Sequence, residues 1–396
     1  MGQLNTCEPC NAIKRHFKND NSKNNENNPS SQQIQNNNNG ISNGNNNHPM
    51  DNETNSSVDN NIKPLNNVSS LKHSNIQNLS NNTNISPLET PVSLKLNETI
   101  KNNNTLIKNP INFKCTKTLQ NRNEAIMCLI ELSNGYIATA SDNNNIHIWN
   151  INNNNPIKTI KTSKKVVCLL EFNPGILLCG NDNNEIELWN VNESKNLEFT
   201  FQGHLLWVNC LTKCNDNFFA SGSNDSDIRI WNFSERSEFN VLKEHEDAIL
   251  SLITLKDGKL CSGSADLTIK IWDWENSVCT ATLREHTRWI KCVFQLLNGN
   301  IVSGADDKTI KVWNNNRCIK TFSGHKKSVR TICQISENII ASGSFDNTIK
   351  IWDINNNVCL QTLDGHSSKV IGLIMHSSGL LISASNDKMI KIWTYK

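Results

Sequence analysis

The segment SGSFDNTIKIWD at 342–353 has six further versions in the same chain. They are SASNDKMIKIWT from 383, SGADDKTIKVWN from 303, SGSADLTIKIWD from 262, SGSNDSDIRIWN from 221, and the more divergent CGNDNNEIELWN from 179 and TASDNNNIHIWN from 139. Their tryptophans, Trp149, Trp189, Trp231, Trp272, Trp313, Trp352 and Trp393, lie 40, 42, 41, 41, 39 and 41 residues apart. A repeat of that length outweighs local propensity. One unit is too small to bury its own apolar face, so the copies have to stack on one another.

Each unit has the same layout. In the sixth it runs CIKTF at 318–322, Gly324-His325, VRTICQI at 329–335, IIASGS at 339–344, then Asp346 and TIKIW at 348–352. Short alternating runs rich in β-branched residues, separated by Gly, Asn and Asp turns, read as four antiparallel strands. Helical periodicity is absent. The units occupy 113–396, divided at about 113–150, 151–190, 191–232, 233–273, 274–314, 315–353 and 354–396.

Residues 1–112 are different in kind. They are dominated by asparagine, and Phe17 is their only aromatic residue. Such a composition does not bury enough apolar surface to offset the entropy of ordering a backbone, so disorder is expected there. It also accounts for the low hydrophobic share of 36% and the mean hydropathy of -0.50. A formal net charge of +2 argues against a nucleic-acid coat. No apolar run approaches the ~20 residues of a membrane span, and the N-terminus has no secretion-signal core. A cytosolic or nuclear setting, with the 14 cysteines reduced, is expected.

Within this tail the opening MGQLNTCEPC carries one motif. Gly2 with Thr6 fits the N-myristoylation pattern, and Cys7 and Cys10 are positioned for palmitoylation. A single acyl chain holds a protein only marginally, so the cysteines matter as a second anchor, with Lys14, Arg15 and Lys18 attracted to anionic lipid. Membrane association through these groups stands beside two alternatives, an ordinary tail and a zinc site. For zinc, the Cys7–Cys10 pair supplies only two of four ligands.

The recurrence of Gly-His, Asp and Trp in register resembles the WD repeats of the G-protein β-subunit family. That resemblance implies an all-β, seven-bladed β-propeller after the Asn-rich segment. In such propellers the outer strand of each blade comes from the following repeat. Only Thr394, Tyr395 and Lys396 follow Trp393, so the segment 114–119 is expected to cross over and close the last blade.

The resemblance also implies a polar set in each blade, Asp to His, His to Ser and Ser to the indole. The sets are His204, Ser221, Asp225 and Trp231; His245, Ser262, Asp266 and Trp272; His286, Ser303, Asp307 and Trp313; His325, Ser342, Asp346 and Trp352; His366, Ser383, Asp387 and Trp393. These are also the residue types of a hydrolase triad. A catalytic site is needed once, and a set recurring in register describes architecture, so no catalytic residue, cofactor or metal site is assigned. The first two units depart: Arg122 and Thr162 stand at the His position, Asn143 and Asn183 at the Asp position, and Cys179 replaces Ser. These blades are expected to form with lower local stability. Cys115, Cys279, Cys318 and Cys359 recur as C-x-x-T, and Cys128, Cys168, Cys210 and Cys292 recur six residues after the His position; all are expected to act as small core residues.

Seven repeat tryptophans out of ten leave Trp207, Trp274 and Trp289. By resemblance, the residue before each innermost strand, the residue two later and the residue before the turn Asp face the narrow end of the ring, where partner proteins dock. Carried over, this selects Trp207, Asn209, Leu250, Trp289, Lys291, Arg330, Phe345, Lys369 and Ile371, with Arg288 beside them. Lys326 and Lys327 add positive charge, which suits an acidic or phosphorylated partner segment. The expectation is a non-catalytic scaffold, a monomeric propeller within a larger complex. The alternative is a substrate-recognition or ubiquitin-binding adaptor in a ubiquitin ligase.

Overall fold

Strands account for all the regular structure: no helix occurs among the described residues. The structure, a computed structural model, describes residues 112–122, 124–193 and 197–395. Gly2, Cys7 and Cys10, and the Asn-rich segment up to residue 111, lie outside the described residues. The strands form seven four-stranded antiparallel sheets, each built from three strands of one unit and an outer strand from the start of the next. The molecule is an all-β, seven-bladed propeller.

The seven innermost strands are Ile126–Glu131, Val166–Asn173, Val208–Lys213, Ile249–Thr254, Ile290–Gln295, Val329–Ser336 and Val370–Met375. Each packs beside the next, and the last packs against the first. Closure of the seventh sheet comes from Phe113–Gln120, which pairs antiparallel with Met389–Tyr395, Cys115 opposite Trp393 and Leu119 opposite Ile390. Without it the final strand would present a row of unpaired N–H and C=O groups. The Gln361 side chain adds a clasp to the neighbouring blade, accepting from the Phe113 N–H at 2.8 Å and donating to its carbonyl at 3.0 Å.

Two features set how closely blades stack. A Cβ on Gly304 would come within 2.6 Å of Val329 on the next blade, so glycine fits there, while blades 1 and 7 accommodate alanine at the same position, Ala140 and Ala384. At the opposite end of the innermost strands, side chains reach across to neighbouring turns. Gln334 accepts from the Leu297 N–H at 2.8 Å, Gln295 from Lys256 at 2.8 Å, and Glu131 from Ser377 at 2.9 Å across the closing seam.

Every innermost strand also carries a β-bulge at its second residue, where the register skips Met127, Val167, Asn209, Leu250, Lys291, Arg330 and Ile371. A bulge re-aims the side chain of its extra residue. Here that sends seven side chains into the crowded region where the strands converge.

A chain beginning at residue 113 is expected to melt at the same temperature as the full chain. One beginning at 121 should lose its cooperative transition or elute as aggregate; differential scanning calorimetry with size-exclusion chromatography checks both.

Candidate protein-docking face

Five blades share one hydrogen-bond chain. In blade 3 the Trp231 indole N–H donates to Ser221 Oγ at 2.8 Å, Ser221 lies 2.7 Å from His204 Nε2, and His204 Nδ1 lies 2.9 Å from Asp225. With Nδ1–H directed at the carboxylate, a neutral imidazole offers Nε2 as acceptor for the serine hydroxyl. Blades 4 to 7 repeat this through Trp272–Ser262–His245–Asp266, Trp313–Ser303–His286–Asp307, Trp352–Ser342–His325–Asp346 and Trp393–Ser383–His366–Asp387. All five serines are 0% exposed. Each hydroxyl is held between an indole and an imidazole, in contact with no solvent, which is the geometry of a brace.

Burial alone would raise the Asp225 carboxyl. Its hydrogen bond to His204 and the N–H of Leu205 outweigh that and bring it down to about 2. The partners of Asp225 in blades 4 to 7 are likewise lowered.

The first two blades brace their tryptophans differently, with groups that sequence register did not single out. Trp149 donates to Thr139 at 3.0 Å, while the buried His147 bridges Thr159 and Glu124, each at 2.9 Å. In blade 2, Trp189 donates to Glu187 at 2.9 Å and Ser163 donates to its other oxygen at 3.0 Å. Burial pushes the Glu187 carboxyl up, against these hydrogen bonds. The signal was present: His147 and Glu187 both stand two residues before the tryptophan, on the strand side that bears Arg or Lys in blades 3 to 7.

The repeated cysteines divide in two. Cys128, Cys168, Cys210 and Cys292 are buried in the core as expected. Cys115 and Cys359 are exposed rather than core residues, while Cys279 and Cys318 are half-buried and pack against the core from its edge. The outer strand bulges immediately after each of them, opposite the blade tryptophan. That bulge turns the thiol toward the threonine three residues on, at 3.7 to 4.0 Å, which explains C-x-x-T.

At the end where the innermost strands begin, each blade makes the same main-chain bond. The residue before the second-to-third-strand turn donates to the carbonyl of the residue before the innermost strand. The pairs are Asp142 with Ala125, Asp182 with Lys165, Asn224 with Trp207, Ala265 with Ala248, Asp306 with Trp289, Phe345 with Ser328 and Asn386 with Lys369, at 2.8 to 3.1 Å. Trp289 is 40% exposed, Arg288 is exposed, and Trp207, Phe345 and Lys369 are half-buried. Lys291 Nζ lies 4.6 Å over the Trp289 ring and 3.6 Å from Asp306, which also accepts from Ser328. Lys369 Nζ lies 4.7 Å over the Phe345 ring.

The bulges correct part of the expected surface. Asn209, Leu250 and Arg330 are 0% exposed, Ile371 2% and Lys291 4%. These residues lie beneath the face and support it. Asn209 donates to Asn224 at 2.7 Å and to the Ile249 carbonyl on the next blade at 2.9 Å. Leu250 packs with Ala248 and Ala265, and Ile371 with the core against which Phe345 rests. Trp274, the remaining extra tryptophan, is buried and donates to the Gly258 carbonyl at 3.0 Å.

Six segments, 113–150, 195–232, 236–273, 277–314, 316–353 and 357–394, match the family model described as WD domain, G-beta repeat, and together they span more than half of the chain. The chain belongs to the WD40 family. The second unit is outside the matched segments; it is the one in which Thr162, Cys179 and Asn183 stand at the His, Ser and Asp positions. A comparison with curated proteins returns no match. WD40 propellers commonly serve as protein-interaction scaffolds.

Replacing Ser303 with alanine leaves the Trp313 indole and His286 without their shared partner and is expected to cost ~1–3 kcal/mol in denaturant unfolding. Acid behaves predictably in sign. Asp225 is depressed in the folded state, so its contribution is complete above its unfolded value near ~3.9 and is lost as pH falls toward its folded value. Unfolding free energy measured against pH should fall across that window, and Asp225→Asn should flatten the slope.

Proposed function

We propose that this WD40 propeller is a non-catalytic scaffold whose partners dock on the face where the innermost strands begin. The observation that carries this reading is the exposed Trp289, flanked by Arg288 on its own loop and by Lys326 and Lys327 on the next, on a rigid ring. Tryptophan and arginine are enriched in interface hot spots, and a preordered framework loses little entropy on binding. The positive charge favours an acidic or phosphorylated segment, read by Trp207, Arg288, Trp289, Phe345 and Lys369. The buried Asn209, Leu250, Lys291, Arg330 and Ile371 act by supporting that surface. The propeller works as a single copy inside a larger complex, in the cytosol or nucleus, and acyl groups on Gly2 and on Cys7 or Cys10 tether it to membrane.

Affinity purification tests the face. Trp289→Ala combined with Arg288→Glu should lose partners that the wild type retains, with unchanged thermal stability; an identical partner profile rejects the reading. Mass spectrometry of the N-terminal peptide tests the tether. A myristoylated Gly2 is expected, and a retained Met1 or unmodified Gly2 rejects it.

A further inference from the structure

One seam of the ring is left partly open at the end opposite the docking face. In six blades the residue two positions after the tryptophan is apolar: Ile151, Val191, Phe233, Trp274, Ile354 and Tyr395. Each packs against the cluster its blade forms with the preceding one, and Trp274 and Ile354 are buried there. Blade 5 carries Asn315 at that position, and it is exposed. Its turn is two residues shorter: Asn314 pairs with Arg317 around Asn315 and Asn316, whereas four residues separate Asp273 from Val278 and Asp353 from Val358. Positive φ values of 47° and 63° at Asn315 and Asn316 make this a type I′ turn, which asparagine tolerates. The 39-residue step from Trp313 to Trp352 reflects the same shortening.

The result is a cleft of about 500 Å³ between blades 4 and 5. Its floor is Leu255, Ile271, Leu283 and Trp313, all members of the apolar cluster at that seam. Its rim carries Asn298, Asn300, Asn314, Asn315 and Asn316, together with Asp257 and Lys259, which lie 3.7 Å apart and offset each other's charge. An apolar floor under amide groups suits one aliphatic side chain on an uncharged, hydrogen-bonding backbone. The chain fills the equivalent place elsewhere with that pattern. Ile151 is followed by Asn152, Asn153 and Asn154 in blade 1, and Ile354 by Asn355, Asn356 and Asn357 in blade 6. Residues 100–104, which lie outside the described residues, read Ile-Lys-Asn-Asn-Asn. Ile100 stands thirteen residues before Phe113, and Phe113 pairs with Tyr395, so it enters the fold at the end of the ring that holds the cleft. Thirteen residues extend to ~45 Å, against roughly 10 Å for each of the two blades to be passed.

We propose that Ile100, with the asparagines after it, docks in the cleft between blades 4 and 5 and supplies the apolar side chain that the shortened turn of blade 5 omits. Because the segment is tethered to the ring, weak contacts are enough to keep it seated. A latch of this strength opens locally, well below the global transition, and leaves the melting temperature of the ring unchanged.

Hydrogen exchange of the full chain, read by mass spectrometry, tests this with two variants. Ile100→Asp removes the docking side chain without altering the propeller, and amides at 298–300 and 314–316 should then exchange about tenfold faster than in the wild type. Replacing Asn315 and Asn316 with the four-residue Ile-Asn-Asn-Asn turn of blade 6 fills the cleft from within. Exchange at 100–104 should then rise while exchange at 298–300 stays slow. Equal exchange in the wild type and Ile100→Asp overturns the proposal. So does protection of the cleft that disappears when the wild type is diluted, which makes the occupant a second copy of the chain. Protection that survives Ile100→Asp only while co-purified partners are present assigns the cleft to a partner segment and equally overturns it. Should the lengthened turn fail to fold, Ile100→Asp and the dilution series decide alone.

Discussion

Everything in this molecule depends on eight residues near one end of the repeats pairing with seven at the other, Phe113–Gln120 against Met389–Tyr395. No sheet in the ring covers both of its faces by itself; each is buried between two neighbours, so an open array would leave two sheets half-solvated. Closure removes that cost and the exposed strand edge together. It also fixes geometry: once the ring shuts, the separation of adjacent innermost strands is set by contacts such as Gly304 on Val329.

Within that frame, polar groups buried in the blades are paired in chains. The indole, hydroxyl, imidazole and carboxylate of blade 3 satisfy one another in series, and four other blades repeat the chain. Blades 1 and 2 meet the same demand, a buried indole N–H, with Thr139 in one case and the Glu187 carboxylate in the other. The requirement is physical and the residue type is negotiable, because an orphaned buried donor costs more than a changed partner. Rigid blades in turn hold the rim loops, so the side chains on the face are presented in fixed positions.

Much of this was legible in the sequence. The spacing of the seven tryptophans carried the blade number, and the three residues after Trp393 carried the need for an outer strand from elsewhere. What was not legible was the bulge. The resemblance carried over by register placed Arg330 and Asn209 on the surface, whereas one extra residue per strand turns them into the ring and buries them. The same kind of irregularity placed Cys115 and Cys359 on the exterior, where their recurrence in register suggested a core role. His147 and Glu187 share the position two before the tryptophan, where blades 3 to 7 carry Arg or Lys, but they bond differently in blades 1 and 2, so repetition did not point to them.

The rim positions thus separate into those that are seen by solvent, such as Trp289 and Arg288, and those that hold them up, such as Leu250 and Arg330. Amide hydrogen exchange of the full chain, alone and with its co-purified partners, tests most directly whether that surface is where partners bind. The expected result is protection confined to the loops before the innermost strands, at 204–207, 286–289 and 326–328. Protection at the opposite end of the ring or along the outer strands, with those loops unchanged, would contradict the account.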